Sequence, residues 1–338
     1  MREYSIAVVG TGAVGSTILQ VLEERNFPVG DLKLLATKNS AGKKVEFKGK
    51  EYTIEETTED SFEGVDIALF AGGKASELYA KTAAKKGAIV IDNSSFFRMD
   101  PEVPLVVPEV NPEAVKKHKG IIANPNCSTI QMCVALKPIN DFSKIKRIIV
   151  STYQAVSGAG QEAMDELVEQ TKEVLAGQEP TIKMFQHQIA MNLIPHIDVF
   201  KDNFYTKEEM KMIAETQKIF NDYDMKISAT TVRVPILRSH SESVTVETEE
   251  KITRDKAIEL FENAEGIILQ DSPENNFYPM PYFTSDTDEV YVGRIREDLA
   301  FDNGITFFVV ADQLRKGAAT NAIQIAELLI RENMVGEK

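Results

Sequence analysis

Six residues near the start of the chain restrict its fold more than any other feature. The pattern G-x-G-x-x-G is matched by Gly10-Thr11-Gly12-Ala13-Val14-Gly15. An apolar run, Tyr4–Val9, precedes it, a helical pattern follows it, and Leu32–Ala36 has the composition of a second strand. Glycines at these positions allow a tight turn, close approach of a pyrophosphate to the backbone, and close packing of helix on strand. The pattern predicts a βαβ unit whose dinucleotide contacts come from Gly10, Thr11, Gly12, Ala13 and Val14.

Strand-like and helical segments continue to alternate through the first third of the chain. Strands are predicted at Val65–Phe70, Ala88–Asp92, Leu105–Val107 and Gly120–Ala123, with a helix between Ala75 and Lys86. Alternation of this kind is typical of a doubly wound, mostly parallel sheet of the Rossmann type, hence of an α/β fold. We assign residues 1–127 to this dinucleotide-binding domain and expect the last helix, within 316–338, to complete it.

The pattern of segments changes after residue 127. A strand is predicted at Lys146–Tyr153 and helices at Glu162–Leu175 and Lys207–Phe220. Further strands are predicted near residues 230–234, 243–249, 290–296 and 306–310. Strands and helices mixed in this way favour an α+β domain with a largely antiparallel sheet, which we place at residues 128–315.

Charge and cysteine content exclude several classes of protein. The formal net charge of −14 argues against nucleic acid or an anionic membrane as a partner. The two cysteines cannot form a disulfide framework, and their spacing without nearby histidine predicts no metal site. No apolar run approaches the ~20 residues that a membrane-spanning helix needs. We therefore expect a cytoplasmic protein that acts on small molecules.

The end of the second strand bears on the choice of dinucleotide. NAD sites usually carry an acidic residue about 20 residues after the glycine turn, which bonds the ribose hydroxyls. Here the segment is Thr37-Lys38-Asn39-Ser40, without an acid. Small polar groups and a lysine suit a 2′-phosphate, so Lys38, Asn39 and Ser40 favour NADP, although the segment also fits an ordinary solvated loop.

Cys127 is the strongest candidate for covalent chemistry. It follows the extended segment Asn124-Pro125-Asn126 and stands where a helical pattern begins. Unpaired N–H groups and the positive end of the helix dipole favour the thiolate at such a position. An inert buried cysteine has the same sequence appearance. His240, at the entry to a predicted strand, is the histidine best suited to act with it.

Three segments carry a resemblance to a known family. They are Asn124–Thr129, Thr152–Gly160 and Val232–Ser243, and compatible motifs extend to Gly317–Asn321. Together they resemble the aspartate-semialdehyde dehydrogenases essentially from end to end. The resemblance implies NADP-linked, reversible conversion of L-aspartyl-4-phosphate to L-aspartate 4-semialdehyde through a cysteine thioester, on the route to lysine, threonine and methionine. It also implies inorganic phosphate as a co-substrate and a homodimer or homotetramer.

The same resemblance assigns roles to individual residues. Cys127 is then the nucleophile, His240 the general acid/base, and Gln154 a residue that positions the substrate. The remaining substrate-binding residues are Arg98, Asn126, Glu208, Lys211 and Arg233, and further cofactor contacts are Ser157, Gly158 and Asn321. The chain departs from the family twice: its glycine turn is one residue shorter, and Asn39 stands where the family commonly has arginine. NAD is therefore an alternative to NADP.

Two other functions fit parts of this pattern. N-acetyl-glutamyl-phosphate reductase shares the chemistry and the fold, but a carboxylate at position 208 suits a free ammonium better than an acetylated nitrogen. A non-catalytic dinucleotide-binding sensor needs only the glycine turn.

The proposed site also requires a particular path of the chain between Arg233 and His240. Arg233 and His240 are seven residues apart and would face opposite sides of a continuous strand, so we predict a break near Pro235.

Overall fold

The computed structural model describes residues 2–336, which form two compact units. The first unit comprises residues 2–126 and 318–336, and the second comprises Cys127–Gly317. Within 2–336, every helix is too short or too polar to cross a bilayer.

Residues 2–336 contain thirteen strands and eight α-helices. The strands are β1 Tyr4–Val9, β2 Val29–Ala36, β3 Lys44–Phe47, β4 Lys50–Glu56, β5 Ile67–Phe70, β6 Ile89–Asp92, β7 Ile121–Ala123, β8 Ile145–Gln154, β9 Lys226–Arg233, β10 His240–Thr248, β11 Ile267–Leu269, β12 Val290–Glu297 and β13 Gly304–Ala311. The helices are α1 Ala13–Glu24, α2 Gly73–Lys85, α3 Cys127–Phe142, α4 Gln161–Leu175, α5 Lys207–Phe220, α6 Arg254–Glu262, α7 Pro281–Thr284 and α8 Thr320–Arg331.

The first unit is built on a seven-stranded sheet in the order β3-β4-β2-β1-β5-β6-β7. All neighbours are parallel except β3 and β4. The central strand β1 is buried on both faces, as a parallel strand covered by helices on either side must be. Helices α1 and α8 pack together over the sheet and share a core that includes Ile18, Leu22 and Ile323. The predicted mostly parallel α/β sheet is confirmed.

Two details of this unit differ from the sequence prediction. Leu105–Val107 forms only an isolated bridge, Leu105 to Ala123, and is not a strand. The buried Asn111 side chain explains this, because it accepts the Val107 N–H and donates to the Leu105 carbonyl, each at 2.9 Å. Those groups are therefore satisfied without a full strand ladder. The hairpin β3–β4 was not predicted, because its charged, largely exposed sequence has little apolar alternation.

The second unit contains a six-stranded sheet in the order β11-β12-β13-β10-β8-β9. The four central strands are antiparallel, and β11 and β9 join the two edges in parallel. Helix α3 packs across the middle of the sheet, while α5 packs on β9 and α6 on β11 and β12. The largely antiparallel sheet is confirmed. Helix α3 runs from Cys127 to Phe142 and includes Pro138.

Candidate active site

Cys127 is the first residue of α3, as the sequence predicts. Its side chain is half-buried, whereas Asn126 before it and Ser128 after it are buried. Gly317 lies against it: a Cβ atom on Gly317 would come within 2.9 Å of the Cys127 Cβ. Glycine at position 317 therefore leaves room for the thiol, and the first turn of α3 directs N–H groups toward its surroundings.

His240 begins β10 and is buried with a defined orientation. Its Nδ1 accepts the Ala155 N–H at 3.0 Å. Burial, and then the charge of Arg233, lower the pKa of the imidazole to about 3, while the Glu208 charge opposes them. The ring is therefore neutral at pH 7, and with Nδ1 accepting, the proton resides on Nε2. Within residues 2–336 no group hydrogen-bonds this buried Nε2, which leaves it available as a donor to a bound molecule.

The predicted break between Arg233 and His240 is confirmed. Strand β9 ends at Arg233, β10 begins at His240, and the segment between them is not a strand. Both side chains bind the backbone of Ala155. Arg233 Nη1 donates to the Ala155 carbonyl at 2.6 Å, and the Ala155 N–H donates to His240 Nδ1. A Cβ on Gly158 would lie 3.0 Å from Arg233 Nη1 and 3.2 Å from His240 Nε2. The guanidinium and the imidazole therefore converge on one side of Gly158.

Gln154 connects the Cys127 region to α5. It is the buried last residue of β8, and its amide donates to the hydroxyl of Ser128 and to Glu208 Oε1, the latter at 3.3 Å. Ser128 directly follows Cys127 in α3. This amide therefore holds the start of α3 close to the start of α5, where a capping box between Thr206 and Glu209 fixes the helix end.

Glu208 and Lys211 form a partly buried ion pair with a third member. Lys211 Nζ lies 3.0 Å from Glu208 Oε2 and 2.9 Å from Asp198 Oδ2. Burial lowers the pKa of Lys211, but the Glu208 charge and the bonds to both carboxylates outweigh it, so the pKa is raised. Burial raises the pKa of Asp198 in turn, and the bond from Lys211 outweighs this and lowers it. Lys211 and Asp198 are thus held in their charged forms.

Arg233 completes the charge distribution of this unit. Burial lowers the pKa of its guanidinium, and the charges of Glu208 and Cys127 oppose that shift. The second unit therefore groups a thiol, a neutral imidazole, two cations and two carboxylates. Sequence reasoning missed Asp198, which lies in no motif or periodic pattern, and Ser128, which lies in the segment Asn124–Thr129 but had no role assigned there. Within 2–336 there is no group of three or more His, Cys, Asp or Glu side chains that could hold a metal ion.

The glycine turn lies in the first unit and has the geometry of an anion site. Gly10 has φ of +99°, and a Cβ on Gly15 would come within 1.9 Å of the Gly10 carbonyl oxygen. Helix α1 begins immediately after Gly12, no side chain caps it, and its first turn contains no acidic residue. Its first N–H groups are thus compatible with a pyrophosphate. Lys38 and Asn39 are exposed and Ser40 is half-buried in the turn after β2.

The other predicted residues of the first unit belong to a hydrogen-bonded network. Arg98 is buried, and it donates to the carbonyls of Asn124 at 2.9 Å and Asn93 at 2.7 Å. Asn124 Nδ2 donates to Asn93 Oδ1, and Asn321 Nδ2 donates to Asn124 Oδ1 and to the Val106 carbonyl. Asn321 is fully buried, so it is placed to fix Asn124 rather than to meet a ligand directly.

The last two predicted cofactor contacts belong to the second unit. Ser157 is buried and its hydroxyl accepts the amide of Gln313. Gly158 is exposed beside Arg233 and His240. They lie in a short 3₁₀ segment, Val156–Ala159, that follows β8. The structure therefore groups Cys127, Gln154, Ser157, Gly158, Glu208, Lys211, Arg233 and His240 in one unit, and Arg98, Asn126, Asn321 and the glycine turn in the other.

Comparison with known proteins identifies the family. The semialdehyde dehydrogenase NAD binding domain matches residues 5–118, and the semialdehyde dehydrogenase dimerisation domain matches residues 136–316. The aspartate-semialdehyde dehydrogenase of Aquifex aeolicus is 59% identical over 98% of this chain and 99% of its own length. The chain belongs to the aspartate-semialdehyde dehydrogenase family. Its members are oxidoreductases of amino-acid biosynthesis.

Two further relatives support this assignment. The family member from Bacillus subtilis is 53% identical, with 99% of both chains covered. A crystal structure of aspartate semialdehyde dehydrogenase II from Vibrio cholerae, complexed with ASA, is 50% identical. It matches 98% of this chain and 99% of that one with a TM-score of 0.96. The predicted family and fold are therefore confirmed, and a nucleotide-binding domain and a dimerisation domain are both present.

Proposed function

We propose that the protein catalyses the NADP-linked, reversible reductive dephosphorylation of L-aspartyl-4-phosphate to L-aspartate 4-semialdehyde, with Cys127 as the nucleophile. The observation that carries the proposal is the convergence of Arg233 and His240 on Ala155, in the unit whose helix α3 begins with Cys127. This arrangement offers a carboxylate-binding cation, a proton donor and a thiol. Family membership supports the substrate class.

The proposed reaction begins with nucleophilic attack by Cys127. The Cys127 thiolate attacks the β-carbonyl carbon, a C–S bond forms, and the C–O bond to phosphate breaks to leave a thioester. N–H groups in the first turn of α3 can stabilise the oxyanion. A bound nicotinamide coenzyme supplies the hydride that reduces the acyl carbon. The resulting thiohemiacetal on Cys127 then loses its C–S bond and releases the aldehyde and the thiolate.

His240 is the proton donor in this scheme. Its neutral ring presents Nε2–H, because Nδ1 is already an acceptor from Ala155. The Nε2–H can donate a hydrogen bond to the oxygen as negative charge develops, and the ring stays neutral when sulfur is expelled. A positioned acid or base of this kind typically contributes ~10²–10⁴ in rate.

Binding of the substrate uses opposite charges at separate points. Arg233 can hold the α-carboxylate bidentately, and Glu208 can accept from the ammonium. Lys211 and Arg98 bind phosphate, while Gln154 and Asn126 orient the acyl group. Glu208 also supports the aspartyl substrate over that of N-acetyl-glutamyl-phosphate reductase, because a buried carboxylate suits a free ammonium better than an acetylated nitrogen.

The coenzyme is assigned to the glycine turn, where Gly10 and the uncapped start of α1 suit pyrophosphate. Thr11, Gly12, Ala13, Val14, Ser157 and Gly158 complete the proposed contacts, and Asn321 supports them through Asn124. Lys38, Asn39 and Ser40 favour NADP by their polarity, and NAD is the alternative. On this scheme residues 1–127 and 316–338 bind the dinucleotide, and residues 128–315 catalyse and dimerise.

The dimerisation domain supports a homo-oligomer, which we propose to be a homodimer or homotetramer. Inorganic phosphate as co-substrate, a cytoplasmic location, and the place on the route to lysine, threonine and methionine stay predictions.

The direct test is reduction of NADP or NAD by aspartate semialdehyde with and without inorganic phosphate. We expect phosphate-dependent reduction with NADP preferred. Turnover of N-acetylglutamate semialdehyde instead would favour the rival reductase. Coenzyme binding without turnover of either aldehyde would favour the sensor.

A further inference from the structure

A buried acidic residue, Glu242, lies on the same face of β10 as His240. Glu242 is two residues further along the strand and fully buried, level with Thr152 of β8 and Val309 of β13. Burial raises the pKa of its carboxyl well above the usual range, and the neighbouring Gln131 side chain only partly opposes this. Within residues 2–336 neither carboxyl oxygen has a hydrogen bond of good geometry. A carboxyl in this setting carries its proton.

Gln131 links this acid to the candidate active site. It lies four residues after Cys127 in α3, hence on the same helical face one turn on. It has no exposed surface, and its Nε2 donates to the backbone carbonyl of His240 at 3.3 Å. Its Oε1 is a buried acceptor without a partner in the described part of the chain. An unsatisfied acceptor on Gln131 thus stands beside an acid that has a proton to donate.

We propose that Glu242 and Gln131 form a buried acid–amide pair that positions the Cys127 helix against His240. The protonated carboxyl donates to Gln131 Oε1, which fixes the amide so that Nε2–H holds the His240 carbonyl. Neither side chain touches the reacting atoms, so both are positioning residues. The pair rests on the roles proposed above for Cys127 and His240.

The surroundings of Glu242 favour the neutral acid. From α3 the titratable neighbour is Cys133, whose thiol pKa is raised chiefly by burial. Glu215 of α5 acts on Cys133, and on β10 itself the titratable neighbour of Glu242 is His240, held neutral. Thr152 and Val309 carry no charge. Within the described residues no cation lowers the pKa of Glu242.

Three variants test the pair: Glu242→Gln, Glu242→Met and Gln131→Met. In Glu242→Gln an amide N–H replaces the acid O–H, so kcat should stay within about twofold of the unaltered enzyme. Each methionine variant loses the bridge, and kcat should fall roughly tenfold with KM little changed. The double methionine variant should lose no more than either single one. Glu247→Met, on the opposite face of β10, is the matched control.

A readout that is independent of turnover complements these assays. The infrared carbonyl band of a protonated carboxylic acid should be present in the unaltered protein, absent in Glu242→Gln, and shifted in Gln131→Met. A loss of kcat in Glu242→Gln equal to that in Glu242→Met would overturn the proposal, because a carboxylate would then be needed. So would unchanged kcat in folded Gln131→Met. If Glu242→Met fails to fold, Glu242→Gln and Gln131→Met still decide. A failure of the proposed function would instead appear as absent turnover in the unaltered enzyme.

Discussion

The candidate site of the first unit is formed by backbone groups, and that of the second unit by side chains. In the first unit the glycine turn consists of backbone, and its shape follows from Gly10 at φ of +99° and the close contact between Gly15 and Gly10. In the second unit the site consists of side chains from α3, β8, α5, β9 and β10. Cys127 and His240 stand more than a hundred residues apart in the chain. A backbone site is therefore local in sequence, whereas a side-chain site depends on the whole sheet.

This difference affects how each site should fail. A substitution in the turn changes the backbone conformation or its surroundings. Where the new side chain clashes with neighbouring atoms, it should reduce stability; where it has room, it should affect only dinucleotide affinity. A substitution among the side chains removes a chemical group, so it should affect catalysis while the unit stays folded.

The largest effect is expected at Cys127. Replacing Cys127 by alanine should lower kcat by at least ~10⁴-fold, because the group that forms the thioester is lost. Dinucleotide affinity, measured by calorimetry, should stay within about twofold, since the proposed binding turn belongs to the other unit. Cys133→Ala is the control: this thiol is fully buried and contacts Thr216, so kcat should be largely retained. Substantial turnover by Cys127→Ala would contradict covalent catalysis.

Two glycines of the turn give a matched pair. A Cβ on Gly15 would clash with the Gly10 carbonyl, whereas one on Gly12 would meet nothing within 4 Å. Gly15→Ala should therefore reduce the free energy of unfolding by about 2–3 kcal/mol. Gly12→Ala should change it by less than ~0.5 kcal/mol yet weaken NADP binding, because the pyrophosphate must approach the backbone there. Equal stability of the two variants in urea titrations would count against the backbone account.

The pKa of His240 predicts how stability depends on pH. Its folded value of about 3 lies below the unfolded value near 6.5. The neutral ring therefore contributes stability that is complete above pH 6.5 and is lost as pH falls toward 3. Between pH 7 and 5 the protein should lose ~2 kcal/mol more unfolding free energy than His240→Asn. Urea titrations at both pH values check this, with the exposed His187 replaced as a control. Parallel pH dependence in His240→Asn and the unaltered protein would show that the imidazole is not held neutral.

The smallest effect is expected at Asp198. Asp198→Asn removes the charge of this side chain, so the Lys211 ammonium keeps its ion pair with Glu208 and loses the one with Asp198. KM for the acyl phosphate should rise by roughly threefold at nearly constant kcat, in line with a partly exposed pair. Glu169→Gln breaks the exposed pair with Lys172 and should change neither constant. Equal effects of the two substitutions would show that Asp198 is only a surface charge.

The sequence predicted structure well wherever the pattern lay in adjacent residues. The strand–turn–helix around Gly10–Gly15, the start of α3 at Cys127 and the break after Arg233 are confirmed by the fold. Each depends on residues adjacent in the chain, or on the requirement that two side chains share a face. The family resemblance added predictions for residues that are distant in sequence, such as Cys127 and His240, which their spacing alone could not relate.

What the sequence could not give depends on tertiary contacts. Asn111 satisfies backbone groups at Leu105 and Val107, which prevents the predicted strand. Asp198 meets Lys211 only because a loop returns to α5. Glu242 shares a face of β10 with Val244 and Val246, and although it is charged by type the sheet buries it fully. Polarity in a strand thus fails to predict burial when a helix such as α3 covers that face.

The central claim is that the acyl group is carried by the sulfur of Cys127. The most direct measurement is mass spectrometry of the enzyme after incubation with aspartate semialdehyde and NADP in the absence of phosphate. We expect an aspartyl thioester on the peptide that contains Cys127, released when phosphate is added and absent from the Cys127→Ala variant. An enzyme that reduces NADP in phosphate yet never carries acyl on that residue would contradict the account.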